Sequence, residues 1–490
     1  MSRRAGLATR PSTALVGLLL GIYSYFYQAG GWNQNSRFDL VRAVVEQHSL
    51  VIDRYEKNTG DDSTRNGHWY CDKAPGPSVL CIPPYTAMYV IAGSPRRVSP
   101  SWLAWAAWLS IVVAVGVPSA VAAVFLARLA RRLGLGPHAS ILLALAWGLA
   151  SMALPYATLL YGNQIAAALT IIAFALLVEV RQGAPATVGR MLAVGVLLGF
   201  AVASEYPAAL IAAAIGVYAL SVAGARPAGW AIVGAAIPLA GLLGYHAAAF
   251  GSPFAFPYDY SVWKEPRTGW FMGIGNLAGW ALRNSLFGEY RGLLFTTPWL
   301  GLALPGALLL ARRHPAEVAV CVWSVVAFLW LNSSIPAWHG GWAAGPRYMV
   351  PMLPFAAALT GGVVVAVADG MASTRREERG AGIVAAALCG GLLALSAANM
   401  FAATAVKPEI PTNWQRPYAD FVWPSFREGR LSVSTQSIDM IDNPPGAPRQ
   451  AWNLGMKCGL DGHASLVPLY LWAAACSAWL VWTLRLSTTA

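Results

Sequence analysis

Long apolar runs, separated by short polar connections, repeat along most of this chain. A helix needs about 20 mainly apolar residues to cross the hydrocarbon core of a bilayer. By that criterion the pattern predicts an all-α polytopic membrane protein with about twelve transmembrane helices. The predicted spans are 12–29, 102–127, 139–157, 164–180, 190–204, 207–222, 229–249, 293–311, 316–334, 349–367, 380–401 and 466–484.

Arginines in the connections distinguish the two sides of this predicted bundle. Short loops rich in Lys and Arg favour the cytoplasmic side of a membrane. When the spans alternate, every arginine cluster falls on one side, which predicts that both termini are cytoplasmic. The heavy use of Arg, Ala and Gly suggests a GC-rich bacterial genome, so we expect the bacterial cytoplasmic (inner) membrane. The clusters are Arg3, Arg4 and Arg10; Arg128, Arg131 and Arg132; Arg181 and Arg190; Arg226; Arg312 and Arg313; Arg375, Arg376 and Arg379; and Arg485.

Three long segments fall on the opposite, outer side of the predicted bundle. They cover residues 30–101, 250–292 and 402–465. Long loops concentrated on one face indicate that binding and catalysis take place there. The sequence therefore predicts a transmembrane catalytic region over 1–401, an outer-face extension over 402–465, and a last helix with a cytoplasmic tail over 466–490.

Within the first outer segment, residues 78–93 (SVLCIPPYTAMYVIAG) form one more apolar stretch. The stretch is short for a span, and Pro83 and Pro84 interrupt it. A crossing here would also move the later arginine clusters to the outer side. We therefore predict a helix that lies at the membrane interface or re-enters it.

Composition narrows the class of protein. The 490 residues are 57% hydrophobic and only 11% charged, whereas soluble domains carry about 25% charged residues. This excludes an ordinary soluble fold. A net charge of +12 is also found in proteins that bind nucleic acid. Most basic residues lie in short loops, where they set orientation in the membrane, so no nucleic-acid partner is expected.

The first outer segment begins with an amphipathic helix over 36–48. Asp39, Arg42 and Glu46 share one face of it, and the opposite face is apolar and suited to the membrane surface. Asp39 would then project into aqueous space and accept a proton from an approaching hydroxyl. The alternative is a plain ion pair between Asp39 and Arg42. Arg37 and Arg42 are included as candidate cavity residues.

A second cluster lies in HWYCDKAPGPS, residues 68–78. Lys73 follows Asp72 and precedes a Pro/Gly turn, a position in which it could meet a lipid phosphate. A lysine that merely reaches from the interface to water is the alternative. The neighbouring Asp61 and Asp62 resemble a metal pair, but adjacent acids in such a loop are usually solvated turn residues. A divalent metal is therefore not supported.

Two further clusters contain acids in short outer turns. Glu205 and Tyr206 lie in ASEYP, where the acid either caps a helix or lines a cavity. Glu289 and Arg291 lie in LFGEYRGLLF, where an interfacial ion pair is the simpler interpretation. All four are candidate substrate-cavity residues.

The last cluster is WHGGWAAGPRYMVPMLP, residues 338–354. Arg347 enters the tenth predicted span from the outer side, and a guanidinium there can bind phosphate with two parallel hydrogen bonds. Its alternative is an interfacial arginine that reaches out to water. His339 is flanked by tryptophans of an interface belt and is a candidate cavity residue.

The six cysteines show no metal-binding spacing. A disulfide between Cys71 and Cys458 is one option, since both fall in or near outer segments. Motifs for nucleotide phosphates, serine hydrolases and zinc proteases are absent. ATP-driven transport and serine hydrolysis are therefore disfavoured.

Taken in order, these clusters resemble the GT-C superfold of integral-membrane glycosyltransferases. The resemblance is to the group of protein mannosyltransferases, lipid A aminoarabinose transferases and RgtA/B/C/D-like enzymes, and it covers roughly residues 10–370. Asp39 in SRFDL is similar to the family's acidic motif, and Lys73-Ala74-Pro75 to its Lys-Pro-Pro motif. LARLARRLG (126–134) and GPRY (345–348) also follow the family pattern. Leu40 stands where the family often has a second acid.

The resemblance implies two juxtamembrane helices in the first outer loop and an activity. A sugar would pass from a polyprenyl-phosphate donor to a glycan, lipid or protein acceptor of the envelope at the outer face, with inversion. Asp39 would be the catalytic base, and Lys73 and Arg347 would hold the leaving phosphate. No cofactor is required, because polyprenyl phosphate is itself a fair leaving group.

Two other functions stay open. A flippase or transporter for a lipid-linked sugar would use the same lipid, although such proteins often carry charges near the bilayer midplane and internal repeats. An inactive assembly factor could keep the fold without the chemistry. The role of the 402–465 extension is equally open, as an acceptor-binding element or a cap.

Overall fold

The computed structural model describes residues 2–262, 275–434, 436–441 and 450–489, with side chains between residues 10 and 486 of those ranges. Parts of the second outer segment (263–274) and of the extension (435 and 442–449) lie outside the described residues, as do the side chains of Arg3 and Arg4.

Helices account for nearly all regular structure in the described part of the chain. They are α1 (Ser2–Ser24), α2 (Trp32–Gln47), α3 (Gly76–Ile91), α4 (Pro100–Ile111), α5 (Val117–Arg132), α6 (Pro137–Leu149), α7 (Ala153–Tyr156), α8 (Gly162–Arg181), α9 (Val188–Ser204), α10 (Ala208–Ala223), α11 (Ala225–Phe250), α12 (Gly279–Phe287), α13 (Leu293–Thr296), α14 (Ala303–Ala311), α15 (Pro315–Ser333), α16 (Leu353–Ala372), α17 (Arg376–Val406), α18 (Trp423–Arg427), α19 (Leu454–Lys457) and α20 (Val467–Thr489).

The prediction of an all-α polytopic membrane fold is confirmed. Among the described residues, 7 helices are long and apolar enough to cross a membrane, and four shorter apolar helices accompany them. Each predicted span overlaps helical structure, but 12–29 runs past the end of α1 at Ser24, and 139–157 is interrupted between α6 and α7. The number of crossings stays a prediction. The predicted span 293–311 is broken, because α13 ends at Thr296 and Pro298, which has no N–H, begins a short 3-10 segment.

The first outer segment contains the two helices that the resemblance implied, α2 and α3, packed against each other. Between them lies a hairpin of β2 (Asp62–Arg65) and β3 (His68–Cys71). Its turn consists of Asn66 and Gly67, both with positive φ, a sequence that favours a tight two-residue hairpin. A second antiparallel pair joins β1 (Phe26–Tyr27) to β4 (Trp452–Asn453) near the end of the chain.

Helix α8 forms the centre of the bundle. It packs against α5, α9, α10 and the segment that precedes α16, and nearly all of its side chains are buried. At 1.5 Å per residue it spans about 30 Å, the thickness of a bilayer core. Its first residue, Gly162, lies against Ser204 and Glu205, so its two ends mark two opposite faces of the molecule.

The arginines predicted to share the cytoplasmic side meet at the C-terminal end of α8. Arg181 lies 3.2 Å from buried Glu317 of α15, and Tyr218 donates to the same carboxylate. Arg128 of α5 pairs with buried Glu179 at 2.5 Å. These pairs bring Arg128 and Arg181, two of the arginines assigned to the cytoplasmic side, to one end of the bundle. The side of the membrane on which that end lies stays a prediction.

Candidate functional site

A polar chamber lies at the N-terminal end of α8, and the first outer segment supplies its centre. The hairpin register pairs Asp62 with Cys71, so the residues that flank its open end, Asp61 and Asp72, are neighbours. Lys73 contacts both carboxylates, at 3.1 Å from Asp61 and 2.9 Å from Asp72. We use "the chamber" for Asp61, Asp72, Lys73, Glu205 and Arg347 together.

Side chains from other segments complete the chamber. The Tyr258 ring of the second outer segment lies 5.4 Å from the Lys73 ammonium. Asp61 interacts electrostatically with Arg347 and Arg37 as well as with Lys73. Lys73 and Arg347, the two predicted phosphate ligands, thus both act on Asp61, although they are far apart in sequence.

Arg347 is held by a chain of hydrogen bonds that reaches the extension. Its guanidinium donates to the Tyr161 hydroxyl at 3.2 Å. Tyr161 in turn donates to the Glu409 carboxylate at 2.7 Å. Gln34 of α2 donates to the other oxygen of that carboxylate at 2.8 Å. Residue 409 of the third outer segment is thus built into the wall of the site.

Glu205 ends α9 and differs from the other acids of the chamber. Its side chain is partly exposed, and it interacts electrostatically with Arg37, Arg347 and Lys73. Its carboxylate also lies against Gly162, where an added side chain would come within 3.0 Å of it. Glu205 is also the residue that caps the C-terminal end of α9, where its backbone N–H donates to the Ala201 carbonyl. Its role as a cavity-lining residue stays a prediction.

Burial and neighbouring charges shift the pKa values of the chamber residues in opposite directions. Burial raises the pKa of Asp72 and of Glu205, because a charged carboxylate is poorly solvated there. Burial also acts to raise the pKa of Asp61, but Lys73 and Arg347 outweigh it and the pKa is lowered. The pKa of Lys73 is raised, since Asp61 and Asp72 outweigh its burial. The ammonium is therefore firmly charged.

The prediction that Asp39 projects into aqueous space is wrong. The side chain is 0% exposed, because the apolar face of α2 packs on protein rather than on the membrane: Phe38 and Val41 are buried beside Tyr85 of α3. Asp39 accepts a hydrogen bond from Asn58 at 3.0 Å. A carboxylate so enclosed has no access to an acceptor hydroxyl in this structure.

The alternative ion pair is not the one observed either. Arg42 pairs with Glu46 at 3.0 Å and with Asp439 of the extension at 3.3 Å. Asn58, which donates to Asp39, accepts from the backbone N–H groups of residues 440 and 441. We call Asp39, Arg42, Glu46, Asn58 and Asp439 "the clasp", because they fasten the extension to the first outer segment.

Several predicted cavity residues lie outside the chamber. Glu289 forms an exposed ion pair with Arg416 at 2.8 Å, and not with Arg291. Arg291 is buried and donates to the carbonyl of residue 410 at 2.9 Å. His339 accepts from the backbone of residue 341 within its own loop and interacts electrostatically with Arg347, so it borders the chamber.

Two other predicted residues take positioning or packing roles. Tyr206 shares a hydrogen bond of 3.0 Å with His246 of α11, and packs on Phe256. Arg37 is 3% exposed and donates to the backbone oxygen of Asn33 at 3.0 Å. Arg37 contributes charge to the chamber, whereas Tyr206 borders it.

The disulfide option for Cys71 is contradicted. Cys71 and Cys458 are both free thiols. Cys71 is buried beside the Ser36 hydroxyl at 3.2 Å, whereas Cys458 is exposed after α19.

No cluster of three or more potential ligands for a metal occurs among the described residues. The two acids that flank the hairpin, Asp61 and Asp72, both contact the Lys73 ammonium.

An apolar groove of about 620 Å³ adjoins the chamber. It lies between α2, α3, α9 and α11, and its lining is almost wholly apolar. Pro75 and Gly76 line one part of it together with Ala203. Pro75 and Gly76 are two and three positions from Lys73, and Ala203 is two positions from Glu205, so this part of the groove lies near the chamber. The lining includes Leu40, Val79, Ile82, Val196, Ile237 and Leu242.

Comparisons with known proteins give structural likenesses only. No protein-family model matches this sequence, and no curated protein matches it at a significant level. The apo oligosaccharyltransferase of Archaeoglobus fulgidus is 12% identical with a TM-score of 0.49, over 89% of this chain and 61% of that one. This chain therefore spans less than two thirds of that protein's length.

Two complexes with lipid phosphates show similar likeness. Oligosaccharyltransferase AglB from Archaeoglobus fulgidus, with an inhibitory peptide and a dolichol-phosphate, is 11% identical with a TM-score of 0.48, over 79% of this chain and 55% of that one. ArnT from Cupriavidus metallidurans, bound to undecaprenyl phosphate, is 18% identical with a TM-score of 0.48, over 99% and 77%. At these scores the likeness is one of architecture, and function has to be argued from the chamber.

Proposed function

We propose that this protein is a glycosyltransferase that moves a sugar from a polyprenyl-phosphate donor to an acceptor of the bacterial envelope, at the outer face of the inner membrane. The observation that carries the proposal is the joining of an apolar groove to a chamber that contains Lys73 and Arg347. A lipid-linked sugar has the same division, with an apolar chain, a phosphate and a polar sugar.

The groove suits the prenyl chain because its lining offers no polar partner that an apolar ligand would leave unpaired. With the prenyl chain in the groove, the lipid phosphate would lie near Lys73, because Pro75 and Gly76 line the groove two and three positions from it. Arg347 supplies a second cation on the same anion. Cations fixed in an enclosed site stabilise the charge that develops on a leaving phosphate more strongly than water does.

The sugar would then occupy the chamber beyond the phosphate, among Asp61, Glu205 and Tyr258. Carboxylates and a phenol are suitable hydrogen-bond partners for sugar hydroxyls. The acceptor would enter from the aqueous side, where the three outer segments meet. The inverting outcome expected from the family resemblance needs only one displacement at the anomeric carbon, so no covalent enzyme intermediate is invoked.

The test is transfer by the purified protein in liposomes. Radiolabelled polyprenyl-phosphate sugars and extracted envelope acceptors are supplied, and label is measured in the acceptor. We expect transfer by the wild type and a loss of about a hundredfold or more in Arg347→Gln. Arg416→Gln, which removes an exposed arginine paired with Glu289, is the matched control and should keep the wild-type rate.

Three results would contradict the proposal. The first is no transfer with any donor class, and the second is an unchanged rate in Arg347→Gln. The third is movement of label across the bilayer without transfer to an acceptor, which would instead support a flippase.

Filling the groove tests the donor assignment separately. Leu242→Trp places a larger side chain in the lining and should raise the KM for the lipid donor by about tenfold, with a smaller change in kcat, because the groove contacts only the chain. Leu471→Trp, at an exposed position on α20, should leave the KM unchanged. Equal KM values for both variants would remove the groove from the donor site.

A further inference from the structure

The acids near the chamber are not equally available for proton transfer. Asp61 and Asp72 both bind the Lys73 ammonium. Both oxygens of Glu409 are engaged, one by Tyr161 and the other by Gln34. Lys73 contacts only one oxygen of Asp61 and of Asp72, but an ammonium at that distance stabilises the ionised carboxylate and makes it a weaker proton acceptor. The Glu409 oxygens, by contrast, both already accept fixed hydrogen bonds.

Glu205 is the exception among these acids. Its carboxylate has no hydrogen bond or ion pair with any side chain of residues 10–262, 275–434, 436–441 or 450–486. The side chain is also partly exposed to solvent. It is nonetheless enclosed, because it projects from the end of α9 against Gly162, the first residue of α8. Glu205 is therefore an acid of the chamber whose carboxylate is open to a hydroxyl that enters the site.

The surroundings of Glu205 face the donor that the proposed function requires. Arg37 of α2, Lys73 of the loop before α3, and Arg347 of the segment before α16 act on it electrostatically. Two phenols also interact with it, Tyr206 beside it in the turn and Tyr258 of the second outer segment. Glu205 thus interacts electrostatically with both proposed phosphate ligands, Lys73 and Arg347.

We propose that Glu205 is the general base of the transfer, a role that rests on the function proposed above. As the acceptor hydroxyl attacks the anomeric carbon, its proton passes to the Glu205 carboxylate. The new carbon–oxygen bond forms while the bond between that carbon and the phosphate oxygen breaks. The electron pair of the broken bond leaves on polyprenyl phosphate, which Lys73 and Arg347 hold.

Burial agrees with this role, since it raises the pKa of Glu205 above that of an ordinary glutamate. A base whose pKa lies closer to the working pH is a better proton acceptor in the transition state. Because the ionised form is required, activity should fall as the pH drops through the Glu205 pKa. The three cations oppose the shift and keep the ionised form accessible.

The experiment compares Glu205→Gln and Glu205→Asp with the wild type in the liposome assay. We expect Glu205→Gln to lower kcat by about a hundredfold or more, in the range of lost general-base catalysis. The KM for the donor should change by less than about threefold, because Lys73 and Arg347 are intact. Glu205→Asp should restore part of kcat and shift the acid limb of the pH profile, and the residual activity of Glu205→Gln should lack that limb.

Glu289→Gln is the matched control, because Glu289 forms an exposed ion pair outside the chamber. It should retain the wild-type rate and pH profile. Binding of a fluorescent polyprenyl-phosphate lipid to Glu205→Gln provides a readout besides activity, and it should match the wild type if the variant is folded.

The outcomes separate the two proposals. A wild type that transfers no sugar overturns the proposed function itself. A wild type that transfers sugar, with Glu205→Gln within about threefold of it or with an unchanged acid limb, overturns the role of Glu205 alone. If Glu205→Gln does not fold, Glu205→Asp decides, since a wild-type pH profile in that variant contradicts the assignment.

Discussion

The chamber and the clasp are two polar clusters that both draw on the first predicted outer segment. The clasp includes Asp439 of the extension, and the chamber reaches the extension through Arg347, Tyr161 and Glu409. In the clasp, Asp39 has no exposed surface and Arg42 is saturated by Glu46 and Asp439. In the chamber, Lys73 and Arg347 lie beside a partly exposed Glu205 and an apolar groove. The sequence alone favours Asp39 of the clasp as the catalytic residue, whereas the structure leaves its side chain without exposed surface and Glu205 of the chamber partly exposed.

The largest expected effect is loss of the Lys73 charge. Lys73→Gln should reduce sugar transfer by about a hundredfold or more, because the leaving phosphate loses a cation and Asp61 and Asp72 lose their partner. Transfer in liposomes measures this loss. Lys457→Gln, which removes an ammonium near the Trp452 ring and outside the chamber, is the control. Comparable losses of transfer in both variants would contradict a specific role for Lys73 in the reaction.

An intermediate effect is expected where the extension reaches the chamber. Tyr161→Phe removes the hydroxyl that joins Arg347 to Glu409, which leaves the guanidinium free to move. We expect kcat to fall about tenfold, since small misplacements of a catalytic group are costly. Steady-state kinetics test this, with Tyr470→Phe on α20 as the control. A wild-type rate in Tyr161→Phe would show that the extension does not position Arg347 for the reaction.

The smallest effect on transfer should come from Asp39→Asn in the clasp. Its amide keeps an oxygen for Asn58, and no substrate reaches it, so the rate should stay within about threefold of the wild type. A hundredfold loss would instead restore Asp39 as the catalytic acid–base group and would reverse the comparison of the two clusters.

The raised pKa of Asp39 should be detectable in the pH dependence of the protein's stability, although Asp39 is not expected to affect activity. Burial raises its pKa well above the ordinary value of 3.8, so the folded state holds a proton that the unfolded state releases. Its contribution to the free energy of unfolding is complete below that ordinary value and is lost as the pH rises toward the folded-state pKa. The thermal midpoint of Asp39→Asn in detergent should therefore gain on the wild type between pH 5 and pH 8. Parallel curves would contradict the shift.

The helices were predictable because their signal is local. Apolar runs of the required length identify most of the bundle, and the short, proline-interrupted stretch at 78–93 correctly indicates α3 as a helix. Lys73 and Arg347 were also identified, since a cation beside a Pro/Gly turn or at the start of an apolar run is conspicuous.

The rest depended on contacts between distant parts of the chain. Asp61 was interpreted as a solvated turn residue, because nothing local shows that the hairpin register sets it beside Lys73. Glu409 has no motif around it, and its partners Gln34 and Tyr161 lie in other helices. Asp39 was misjudged because an apolar helix face fits a membrane and a neighbouring helix equally well.

The pairing of β1 with β4 has a consequence for biosynthesis. Phe26 and Tyr27 follow the first helix, yet their partners Trp452 and Asn453 are made only just before the last one. Glu409 and Asp439 are late additions as well. The first outer segment therefore emerges from the ribosome long before its neighbours, and the site is assembled only when nearly the whole chain has been inserted. A nascent or truncated product would carry Lys73 and its two acids without Glu409, which holds Arg347 through Tyr161.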